Sequence, residues 1–136
     1  MAEVPEVNEP ESAALLGVLA EAAMTLRELT TSLRQRANVV AVDRRCDVER
    51  SDDRRSIEWY VDAELHNGEA VSFRLLIFWH SAEWTVESDV RRIHSGGSDE
   101  EVGLPTRFAI DVAELAMEVR SASAQLARCS EIDGLI

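Results

Sequence analysis

The chain has 136 residues, 46% of them hydrophobic, and 26 Asp and Glu against 14 Lys and Arg give a formal net charge of -12 and a pI near 4.6. This length suits one domain that buries enough apolar surface to fold without a disulfide or a metal, and the apolar content excludes a disordered chain. The charge argues against nucleic acid or an anionic membrane as a partner, because both would repel it, and favours a basic protein.

All the basic residues are Arg, which together with the abundant Ala points to a GC-rich, bacterial coding sequence. Cys46 and Cys129 lie far apart without a CxxC spacing and read as small core residues. No run approaches the roughly 18 apolar residues that span a membrane. The apolar run Ala13 to Ala20 follows Glu3, Glu6, Glu9 and Glu11, where a signal peptide needs positive charge, so the expected location is cytoplasmic.

Residues 1–11, acidic and carrying Pro5 and Pro10, read as a disordered tail ahead of a single domain over 12–130. Ser12 is the candidate N-cap of a helix over 12–37, in which Leu15, Leu19, Ala22, Leu26, Leu29 and Leu33 form one apolar stripe. Leu16, Ala20, Ala23 and Met24 lie off that stripe and are the candidate contacts of a homodimer.

Four strands follow. The first, around Val39 to Val48, is irregular, with a bulge expected at Arg44 or Arg45. The second alternates Ile57, Trp59, Val61, Ala63 and Leu65 with Glu58, Tyr60, Asp62 and Glu64. The third, Val71 to Trp79, is apolar on both faces and so central. The fourth sets Trp84, Val86 and Val90 against Glu83, Thr85, Glu87 and Asp89. A three-residue loop, His66-Asn67-Gly68, pairs Ala63 with Val71 and Val61 with Phe73 and so matches the apolar faces, whereas a two-residue Asn67-Gly68 turn would oppose them. The Asp52-Asp53 region is the tip of the first hairpin.

The stretch from His94 to Pro105 reads as a flexible acidic loop. Pro105 and Thr106 open a second helix over 106–129, with Phe108, Val112, Leu115, Val119, Ala122, Leu126 and Cys129 on its stripe, and residues 131–136 fray. The expected fold is α+β: a two-layer α/β sandwich of helix, four-stranded antiparallel meander and helix, with the helices antiparallel on one sheet face.

No nucleophile motif, metal-ligand spacing or phosphate-binding loop is present, so no catalytic residue, metal or cofactor is assigned. His66, His80 and His94 read as solvated turn residues. The outer sheet face carries the informative pattern: Tyr60, Arg74, Leu76 and Phe78 inside a rim of Glu58, Asp62, Glu64, Glu83, Glu87 and Asp89. An apolar centre with a charged rim is the pattern of a protein interface. In size, acidity and element order the chain is similar in type to bacterial immunity proteins and to small secretion chaperones, though it lacks the chaperones' helix between the middle strands. The expected function is therefore non-catalytic binding of a basic partner, as an immunity or antitoxin-type inhibitor. The alternatives are a dimeric secretion chaperone and a small enzyme or ligand-binding domain without a sequence motif.

Overall fold

The computed structural model describes residues 9–52, 54–132 and 134–136. In chain order the elements are α1 (Glu9–Arg34), β1 (Val39–Arg50), β2 (Arg54–Leu65), β3 (Ala70–His80), β4 (Glu83–Ile93), β5 (Asp99–Val102), β6 (Arg107–Ala109) and α2 (Val112–Cys129). The strands form one six-stranded sheet in the order β1-β2-β3-β4-β5, with β6 also on β4, and every pairing is antiparallel. Two helices with such a sheet make an α+β fold.

The β2–β3 hairpin sets the register expected from the sequence, Ala63 opposite Val71 and Val61 opposite Phe73. Gly68 makes this possible at φ +84, a conformation that costs a glycine nothing. Trp79 lies opposite Trp84, and their rings meet edge to face at 5.1 Å. Trp59, Val61, Phe73, Leu75, Val86 and Val90 enter one core with Leu26, Leu29 and Leu33 of α1 and Leu115, Val119 and Leu126 of α2. Helix α1 packs on β1 and β2, and α2 packs on β3, β4 and β6.

Several sequence expectations are corrected. Helix α1 runs over Glu9–Arg34 rather than 12–37, so Ser12 lies inside it, with Pro10 in the first turn, where a missing N–H breaks no helical bond. The bulge in β1 falls between Val39 and Ala41 rather than at Arg44 or Arg45. Cys129 is buried as expected but Cys46 is exposed. Leu135, within the stretch expected to fray, is buried in the core.

The largest correction concerns the stretch after β4. Residues expected to form a loop include β5, and residues expected to open the second helix form β6 instead. Helix α2 begins at 112 because Asp111 caps it: its carboxylate accepts from the Glu114 amide at 2.8 Å, while the Glu114 carboxylate accepts from the Ile110 amide at 3.1 Å. This reciprocal pair is a stronger helix start than Pro105-Thr106. Phe108 therefore sits in a strand rather than on a helix stripe.

The return through β5 and β6 also reverses α2. Glu21 of α1 pairs with Arg120 of α2 at 2.7 Å, and just past the C-terminal ends of both helices Arg36 donates to the Ser130 carbonyl. The helices run in the same direction, not antiparallel. A chain that left β4 directly for α2 would have produced the antiparallel pair; travelling back along β4 first inverts it.

Ser81 and Ala82 turn the β3–β4 hairpin at φ 54 and 63. Two central residues in the left-handed region form the hairpin turn usually built from Asn-Gly, and alanine there is strained. Ala82→Gly is expected to raise stability by about 0.5–1 kcal/mol, seen as a higher midpoint in chemical denaturation. A lowered midpoint would contradict the turn geometry.

Candidate functional site: the acidic sheet face

The residues that alternate with the core set lie on the opposite face of the sheet. Arg74 on β3 is the centre of this face. Its Nη1 donates to Glu58 Oε2 on β2 at 2.7 Å, its Nε donates to Asp89 Oδ2 on β4 at 2.7 Å, and its Nη2 lies 3.5 Å from Glu87 Oε2. The register explains this, because Tyr60, Arg74 and Asp89 share one row while Glu58, Leu76 and Glu87 share the next. Tyr60 donates its hydroxyl to Glu58 Oε1 at 2.6 Å.

Burial works against the charge of Arg74, but the bonds to Glu58 and Asp89 outweigh it and raise its pKa. For Glu58 burial pushes the carboxyl up, and the bonds from Tyr60 and Arg74 outweigh it and hold it below its ordinary value. Hydrogen bonding to Glu58, with burial second, holds the Tyr60 hydroxyl above its ordinary range. The cluster is one hydrogen-bonded network in which Arg74 compensates the carboxylates around it.

This changes the roles expected of several residues. Leu76 is only 6% exposed, enclosed by its row neighbours, and offers no surface to a partner. Phe78 is half-buried beneath Arg54, whose guanidinium carbon lies 4.3 Å from the ring centroid, and Arg45 covers Tyr60 in the same way at 4.2 Å. Glu58, Glu87 and Asp89 gather around Arg74, while Asp62, half-buried, and Glu64, exposed, lie outside the cluster. Large apolar residues displayed on this face are Phe108 of β6, 57% exposed, opposite Thr85, which in turn lies opposite Phe78, and Ile93 of β4, exposed at the other end of the face. Sequence reasoning missed Phe108 by placing it in a helix. The candidate dimer residues Leu16, Ala20, Ala23 and Met24 are all exposed on α1.

A second cluster was also missed. Glu69, immediately before β3, accepts from Arg92 Nη2 at 2.5 Å and lies 2.8 Å from His94 Nδ1, while His94 Nε2 lies 3.3 Å from Glu100. Arg92 also donates to the carbonyls of Gly134 and Leu135, tying down the end of the chain. His94 is thus half-buried and paired rather than a solvated turn residue; His66 and His80 are exposed. Among the described residues no group of three or more His, Cys, Asp or Glu side chains could hold a metal ion, and no helix is long and apolar enough to cross a membrane.

Two predictions follow from these clusters. Arg74→Met leaves three partly buried carboxylates without their shared cation and is expected to cost about 1–3 kcal/mol at neutral pH, with the Glu58 part of the difference lost as pH falls through its lowered pKa; denaturant titration at pH 7 and in acid reads both. The Arg92 bond first and the His94 bond second lower the Glu69 pKa from 4.5 to about 2, and the bond to Glu69 raises the His94 pKa above 6.5. The Glu69 contribution is complete above 4.5 and lost towards 2; that of His94 is complete below 6.5 and lost as pH rises through its raised pKa. The stability gap between wild type and His94→Gln is therefore expected to be widest between pH 4.5 and 6.5 and to narrow by pH 9; a gap that widens with pH would contradict the pairing.

Comparison with protein-family models, with curated proteins and with solved structures finds no match to this chain.

Proposed function

We propose that the protein is a non-catalytic binding module of the immunity or antitoxin type, which takes a basic protein partner on its acidic sheet face. The observation that carries this is the composition of that face: Asp43, Asp62 and Glu101 occupy the row beside that of Arg74 and Glu64 the row beyond, and exposed Phe108 stands on the other side of the cluster. The carboxylates would speed encounter with a cationic surface, and Phe108, with the edge of Phe78, would supply the desolvated contact that slows dissociation.

The proposal includes a two-layer architecture in which both helices cover one face of the β1–β4 meander and leave the other to the partner. Support comes from the shared core, which joins the buried stripes of α1 and α2 to a single alternating set of strand residues.

A second reading, a secretion chaperone for an extended apolar segment, is favoured by one feature. Leu15, Leu19, Val48, Ile57, Ile77 and Trp79 line an apolar groove at the end of the sheet beside α1.

The test takes a cationic protein recovered on the immobilised chain and measures its rebinding in purified form. The association rate is expected to fall at least tenfold from low to high salt, and Phe108→Glu is expected to weaken binding by about 1.4 kcal/mol or more, a tenfold change. Rebinding that is insensitive to both would contradict the assignment of this face. Loss of binding on Leu19→Glu, with no effect of Phe108→Glu, would support the chaperone reading instead.

A further inference from the structure

Strand β1 is a sheet edge of unusual exposure. It has 12 residues, pairs among the described residues only with β2, and is exposed at every position from Asp43 to Arg50. Val48 lies on the core side, in the row of Ile57 and Ile77, yet is 74% exposed. The outer N–H and C=O groups of β1 form a row without strand partners among the described residues, a template for another strand; the Val42 carbonyl accepts from the Arg34 side chain at 3.2 Å, a bond to one lone pair that leaves the other for a strand.

Charges along an edge ordinarily deter such pairing. Here both signs are present, Asp43, Asp47 and Glu49 with Arg44, Arg45 and Arg50, and the register decides their effect. Two copies related by a two-fold axis normal to the sheet pair antiparallel with like faces together, so the axis falls on one residue of β1. Centring on Arg45 sets Arg45 on Arg45 and Asp43 on Asp47. Centring on Cys46 sets Arg45 against Asp47 twice but also Asp43 against Glu49 twice, so its attractive pairs are cancelled. Centring on Arg44 sets Asp43 against Arg45 twice and Val42 against Cys46 twice, and leaves Arg44 on itself as the one like-charged pair.

The helix agrees. Ala23 borders the depression that contains Arg44, Arg45 and Cys46, so the middle of α1 stands beside the proposed axis. Leu16 and Ala20 precede Ala23 by seven and three residues and share its stripe. Helix α1 lies over β1 and β2, which at a strand spacing of about 4.8 Å puts its axis about 5 Å from the dimer axis. Two such helices would be about 10 Å apart, the normal interaxial distance, with small Ala20 and Ala23 at the point of closest approach.

We propose that β1 pairs antiparallel with β1 of a second copy, with Arg44 on the two-fold axis and the Leu16, Ala20 and Ala23 stripes of the two α1 helices in contact. The sheet then runs continuously through both copies and the acidic face is doubled. The dimer does not depend on the partner proposed for that face.

Sedimentation equilibrium tests it. The wild-type chain is expected to be a dimer. Arg45→Asp and Asp43→Arg, each introducing two like-charged pairs, are expected to weaken the dimer at least tenfold while circular dichroism and melting stay close to wild type. Mixing the two variants restores both attractive pairs, so the mixture is expected to form a heterodimer at least tenfold tighter than either homodimer. A monomeric wild-type chain at all concentrations, or a mixture that associates no better than its components, would overturn the proposal. Recovery with Asp47→Arg in place of Asp43→Arg would overturn the register.

Discussion

The register between β2 and β3 is the constraint on which the rest of the molecule depends. A shift of one residue would carry Trp59, Val61 and Ala63 out of the core and bring Glu58, Tyr60 and Asp62 into it. The three-residue loop closed by Gly68 prevents that shift, because only a left-handed residue at that point lets the strands leave in phase. With the phase fixed, the apolar residues of the strands share one core with residues of both helices, and the charged residues alternate with them. The acidic surface is thus a consequence of the same register that makes the fold stable.

Arg74 shows how that surface avoids self-repulsion. Three carboxylates converge on one row and the next, and without a cation between them they would oppose sheet formation. The guanidinium fork meets Glu58 and Asp89 with separate nitrogens, a geometry that a lysine ammonium could not reproduce. Its position on the central strand lets it reach β2 and β4 at once.

Much of this was legible in the sequence, and the failures have physical causes. Alternation at Ile57 to Leu65 and the glycine after Asn67 were sufficient to fix β2 and β3. The Glu69–His94 contact could have been found by continuing the Trp79–Trp84 register to the other end of the hairpin, where those two residues face each other. The β3–β4 turn was hidden because Ser81-Ala82 lacks the glycine that normally marks it. The helix start was misplaced because Pro105-Thr106 outweighed Asp111 and Glu114, although the latter pair satisfies two backbone amides. That error concealed β6, moved Phe108 from surface to core and inverted the direction of α2. Burial of Leu76 could not be read from its own strand, since it depends on lateral neighbours from β2 and β4.

Carboxyl footprinting of the complex with a purified cationic partner tests the central claim most directly. Protection from labelling at Asp62, Glu64 and Glu101, with labelling of Glu28 on α1 unchanged, is the predicted result. Unchanged labelling of the sheet carboxylates in a saturated complex would contradict the account, because the partner would then lie elsewhere.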